Sequence, residues 1–150
     1  MSDAEFWRLS ESLSEPAGTF AISDNLVSNE DTFQFVIPAL VSTVKPGGVY
    51  VGVGPDQNFT YIAAVRPRMA FITDIRRGNL HLHLMYKALF ELSADRADFV
   101  SKLFTKPRTP RITNALSADG VMAAYWDTPT SGEDIYAANL KAIQDQLTKK

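Results

Sequence analysis

Cysteine is absent from the 150 residues, so the chain has no disulfide frame, thiolate metal site or thiol nucleophile. A cationic excess is missing too. Fifteen Lys and Arg stand against 17 Asp and Glu, for a net charge of -2, whereas a protein that grips nucleic acid by neutralising phosphates carries a basic surplus. Bulk charge therefore offers no support for a nucleic-acid partner. No apolar run approaches the roughly 20 residues that cross a bilayer, because the longest ones are broken by Pro38, Pro46, Arg66 and Lys87, and no membrane partner is expected. The first nine residues carry Asp3 and Glu5 in place of a basic stretch and apolar core, so they do not match a secretory signal, and the cytoplasm is the expected compartment.

What remains is an ordinary globular balance, 45% apolar and 21% charged, over about one average domain's length. Ser2 and Glu5 have capping-box spacing, and Phe6, Leu9 and Leu13 follow at helical intervals, which predicts a helix over 3–14. A polar segment, SDNLVSNE, follows from Ser23 to Glu30. Ser28 and Asp31 then resemble a second capping box ahead of an apolar helical face running from Phe33 to Val44. Val49 to Val53 and Met69 to Ile75 are compact, apolar and rich in β-branched residues, which predicts two buried strands with a helix over Asn58 to Val65 between them. This order is a βαβ unit and makes the chain α/β, with the first turn at the carboxyl edge of a parallel sheet.

Beyond that unit the pattern predicts a helix over Leu80 to Leu92, although HLHL also suits a strand, and another over Arg96 to Phe104. Val121 to Trp126 reads as a strand, and Thr130 with Glu133 caps a last helix to Leu147. Two firm strands and one weak one are few for an open α/β sheet. An incomplete sheet is therefore expected, completed by missing C-terminal sequence or by a second copy in a homo-oligomer.

The chemistry is concentrated in GGVYVGVGPDQNF, from Gly47 to Phe59. Gly52 and Gly54 end a strand where the backbone can approach a ligand closely, and Asp56, Gln57 and Asn58 open the following helix with acceptors and unused N–H groups. Twenty residues past Gly54, Asp74 ends the second strand, the place from which a carboxylate accepts hydrogen bonds from ribose hydroxyls. A negative Asp56 beside the turn repels a pyrophosphate, which favours a nucleoside bearing a positive or zwitterionic group, as in S-adenosylmethionine. An NAD(P)-linked oxidoreductase shares the glycine turn and ribose acid, and a non-catalytic metabolite-binding or interaction module is the third alternative.

These segments resemble class I methyltransferase-like Rossmann domains, and more closely an uncharacterised bacterial family carrying SDNLVSNE, YVGVGPDQNF and AFITDIRR. The likeness covers about residues 5 to 105. It implies a Rossmann-like core behind N-terminal helices, S-adenosylmethionine as cofactor and methyl transfer as the activity, with Gly52 and Gly54 in the cofactor turn and Asp74 as its acidic partner. Tyr50 stands where such domains usually carry an acidic residue, and the third glycine of the turn is replaced.

Asn25, Asn29 and Glu30 are the best candidates for a polar lid over that turn, with Asp24 and Ser28 beside them, and helix capping is the plainer alternative. Arg76 and Arg77 can clamp a ligand carboxylate or phosphate, or pair with Asp74 and orient it, and surface salt bridges are the equal alternative. His81 and His83 fall about 200° apart on a helix, so no metal site is expected. The cations from Lys102 to Arg111 read as a solvated connector, and no residue presents itself as a catalytic base.

Overall fold

The computed structural model describes residues 1–16, 26–28 and 30–149. It is a mixed α/β structure whose described residues hold seven α-helices, one 3₁₀ turn and a two-stranded parallel sheet. They fall into two compact units, residues 5–83 and residues 84–150 with 1–4.

Helix α1 (Asp3–Ser12) ends two residues short of the expected helix. The expected second helix splits at Pro38. A 3₁₀ turn over Phe33–Val36 leads into α2 (Ile37–Thr43), because a residue without an N–H and with fixed φ is tolerated only in the first turn of an α-helix. Ser28 does not cap it, since its side chain and N–H are committed elsewhere.

Strands β1 (Val49–Val53) and β2 (Met69–Thr73) pair in parallel, with Val49 opposite Met69 and Val53 opposite Thr73. Helix α3 (Gln57–Val65) connects them and stops at Arg66, which adopts a left-handed φ of 49° before Pro67. This is the expected strand, turn, helix and strand. The face carrying Val49, Val51 and Val53 is open, each valine more than half exposed, so among the described residues this side of the sheet is not buried as expected.

Helix α4 (Arg77–Leu92) settles the HLHL ambiguity as helix and starts three residues before the expected boundary. In the second unit α5 (Arg96–Leu103) is capped by Asp95, whose side chain accepts from the Asp98 N–H. The strand expected at Val121 to Trp126 is instead part of α6 (Ala118–Trp126). Ser117 Oγ accepts from the Gly120 N–H at 3.1 Å and supplies the cap, and the four-residue spacing of Val121 and Tyr125 puts both in the core. Helix α7 (Glu133–Thr148) matches the expected span, with Gly132 at its N-cap in place of the Thr130 box.

The core of this unit joins Ala97 and Val100 of α5 to Ile112, Val121 and Tyr125, and the Tyr125 hydroxyl donates to the Ala97 carbonyl at 3.0 Å. The basic connector is structural. Arg108 donates to both Asp95 oxygens at 3.0 Å and to the Ile112 carbonyl at 2.9 Å, while Lys106 Nζ donates to the Tyr125 carbonyl at 2.7 Å near the end of α6.

Three carboxylates of this unit ionise more readily than usual. Asp95 is lowered by the Asp98 N–H and then Arg108, and Glu91 by Lys87 and then Gln146. For Asp98 burial acts upward, but Lys102 and the Ala94 N–H outweigh it. The unfolded chain therefore binds more protons, so their stabilisation is complete above the ordinary carboxylate range and is lost as pH falls below about 4. Thermal unfolding followed by circular dichroism is expected to show a falling midpoint from pH 5 to pH 3; a flat or rising midpoint contradicts these pairings.

Candidate functional site

The turn after β1 is built around a residue the sequence suggested for ligand contact. Asn58 is 2% exposed, beneath the turn. Its Nδ2 donates to the Val53 and Pro55 carbonyls at 3.1 and 2.7 Å, and its Oδ1 accepts from the Tyr50 hydroxyl at 2.6 Å. The amide is thus committed within the fold. Gly52 is explained by the same contact, since a Cβ there would lie 1.9 Å from Asn58 Oδ1 and 2.7 Å from Tyr50 Cε1. Its missing side chain makes room for Asn58. Tyr50, where the resemblance leads one to expect an acid, is the partner that locks Asn58; burial raises its pKa, and Tyr61 nearby adds to the effect.

Gly54 serves the turn differently. Its φ of 82° lies in the left-handed region that a β-carbon disfavours, and its N–H donates to the Thr73 carbonyl at 2.9 Å, which ties the end of β1 to the end of β2. A Cβ built on Gly54 would lie 3.8 Å from Asp74 Oδ2. The turn glycine and the carboxylate twenty residues later are therefore neighbours at the carboxyl ends of two paired strands.

Asp74 is held from several directions. Its Oδ1 accepts from the Arg76 N–H at 2.7 Å and from Arg76 Nε at 3.2 Å, and its Oδ2 accepts from Asn79 Nδ2 at 2.6 Å and from an Arg76 guanidinium nitrogen at 3.3 Å. Burial alone would raise its pKa, yet the Arg76 side chain, the Arg76 N–H and Asn79 together hold it below the ordinary value. Asn79 is fully buried, and its Oδ1 has no hydrogen-bond partner among the described residues.

Two side chains of α4 that the sequence reading did not select complete the arrangement. Asn79 and His83 are four residues apart and so share a helix face. His83 Nε2 lies 3.0 Å from the Gly54 carbonyl oxygen, which only accepts, so Nε2 carries the hydrogen and donates. Phe59 packs edge-on to the imidazole with ring centroids 5.4 Å apart. The signal was present as N-x-x-x-H but was hidden within HLHL. His81 is exposed, as the angular separation of the two histidines requires.

Residues 26–28 lie against the start of both α3 and α4. The Ser28 N–H donates to Asp56 Oδ1 at 2.8 Å, the Ser28 hydroxyl donates to Gln57 Oε1 at 2.6 Å, and a Cβ on Gly78 would lie 3.2 Å from Leu26 Cδ2. Asp56 and Gln57 thus hold this segment, and the neutral N–H leaves Asp56's net charge in place. Of the expected lid, Glu30 is exposed, and its N–H donates to Ser28 Oγ at 3.4 Å. Asp24, Asn25 and Asn29 lie outside the described residues. Among the described residues no cluster of three or more His, Asp or Glu is placed to hold a metal ion, and no helix is long and apolar enough to cross a membrane.

Residues 25–149 match the model of the family described as Domain of unknown function (DUF7790), and the chain belongs to that family. No curated protein and no solved structure matches it.

Proposed function

We propose that the chain binds a nucleoside-type cofactor, S-adenosylmethionine or a close relative, at the carboxyl edge of a Rossmann-like β1–α3–β2 unit. The observation that carries this reading is the approach of Gly54 to Asp74, with an ideal Cβ on the glycine 3.8 Å from Oδ2. A glycine at positive φ leaves room for a ligand beside a carboxylate, and a carboxylate in that place accepts hydrogen bonds from the two ribose hydroxyls. Asp56 supports a nucleoside bearing a positive group over a pyrophosphate, since its charge stands at the same turn.

The binding role rests on Gly54 and Asp74, and Arg76 pairs with Asp74. Gly52 and Asn58 shape the turn from beneath, while Asp56 and Gln57 secure residues 26–28. With a sulfonium nucleoside bound, the reaction available is transfer of the methyl group to an acceptor nucleophile, the sulfur keeping the bonding electron pair. The protein's contribution would be proximity and orientation.

Calorimetric titration of the 150-residue chain with S-adenosylmethionine, its demethylated product and NAD tests the reading. The first two are expected to bind and NAD to bind more weakly; preference for NAD supports an oxidoreductase instead, and heat from none of the three contradicts the proposal. Gly54→Val is expected to abolish the signal, because the branched side chain fills the space beside Asp74 and strains a backbone at φ 82° by about 1–3 kcal/mol. Undiminished affinity in a folded Gly54→Val chain rules out close approach at this turn.

A further inference from the structure

The partners of Asp74 divide into two kinds. The Arg76 N–H at 2.7 Å and Asn79 Nδ2 at 2.6 Å are short bonds from the backbone and from a fully buried side chain. The guanidinium bonds, at 3.2 and 3.3 Å, are longer and come from a side chain that still reaches solvent. A carboxylate offers about four acceptor positions, and these four bonds fill them. Asp74 as it stands therefore has no position left for ribose, although its side chain is still 9% exposed and that of Arg76 19%.

We infer that Arg76 is a displaceable stand-in for a vicinal diol. Its forked guanidinium gives one donor to each Asp74 oxygen, the same pattern that two hydroxyls on adjacent carbons present. A ligand bearing that diol takes over both positions as Arg76 swings away, while the backbone and Asn79 bonds keep the carboxylate in place. The inference rests on the nucleoside reading above and adds to it a specificity device. A ligand that offers a single hydroxyl must break the same ion pair but gains less from Asp74, so the latch raises the threshold for anything other than a ribonucleoside.

The latch has an electrostatic signature. Opening it separates a cation from an anion, and screening by salt lowers that cost. Adenosine, which is uncharged, is the probe, titrated into the wild-type chain and into R76M and R76Q at low and high potassium chloride, with thermal unfolding confirming that each variant is folded. Both variants are expected to bind adenosine about three- to tenfold more tightly than the wild type at low salt, since the ligand no longer competes with the ion pair. Wild-type affinity is expected to rise with salt toward the variants' values, and theirs to stay level.

Wild-type binding with equal or weaker affinity in both variants overturns the latch but leaves the nucleoside reading standing, because Arg76 then orients Asp74 or touches the ligand. The same salt response in all three chains also overturns it. Binding by the variants alone supports the latch in its strongest form. No binding by any of the three overturns the latch and the nucleoside reading together.

Discussion

Gly52→Ala is expected to destabilise the chain by about 2–4 kcal/mol, with a lower denaturant midpoint and loss of nucleoside binding. The new methyl group would lie 1.9 Å from Asn58 Oδ1 and 2.7 Å from Tyr50 Cε1, so both must move. Asn58 cannot move cheaply. Its three hydrogen bonds join the start of α3 to the end of β1, and displacing it leaves polar atoms unpaired where water has little access. A double-mutant cycle isolates this cause. On an Asn58→Ala background the clash with the amide is gone, and Gly52→Ala should cost less by about 1 kcal/mol or more. Equal costs on the two backgrounds would mean that Gly52 is required for another reason.

Asp74→Ala is the second large effect, and it acts on both binding and stability. Loss of hydrogen bonds to a charged acceptor is expected to weaken nucleoside binding by about 1.5–3 kcal/mol, roughly ten- to a hundredfold. Stability falls as well, because Asn79 is fully buried and its Nδ2 loses its acceptor; about 1–3 kcal/mol is expected. Asp74→Asn separates the two effects. Its amide can pair with a reoriented Asn79, so it should keep most of the stability while losing the charge that favours ribose. Calorimetry and chemical denaturation on the two variants check both quantities, and a folded Asp74→Asn chain with wild-type affinity removes Asp74 from the ribose role.

The sequence was most legible where composition and punctuation agreed. β1 and β2 are short β-branched runs set off by Gly47-Gly48, Pro67 and the following polar residues, so their existence was plain and their ends nearly so. Val121 to Trp126 was misread because six apolar residues carry no decisive period, and the signal that decides it, Ser117 as a cap, lies outside the run.

Spacing located Gly54 and Asp74, but it could not reveal what occupies each polar atom. By sequence Asn58 is a candidate ligand contact, and its commitment to Tyr50 depends on a cavity left by Gly52 that only three-dimensional packing shows. Ser28 fitted a local capping box equally well, whereas its actual partners, Asp56 and Gln57, are 28 and 29 residues away. Asn79 draws no attention in the sequence and His83 does so only as a metal ligand, because their shared helix face becomes significant only once the turn after β1 is known to lie beside it.

The central claim is that a nucleoside binds beside Gly54 and Asp74, and amide chemical-shift mapping during titration with the demethylated product of S-adenosylmethionine tests it most directly. The largest changes are predicted at the N–H groups of Gly54, Asp56, Asp74 and Arg76, with the Arg76 Nε–H signal moving as its guanidinium leaves the carboxylate. Shifts centred on another part of the chain, with these signals unmoved at saturation, would contradict the account.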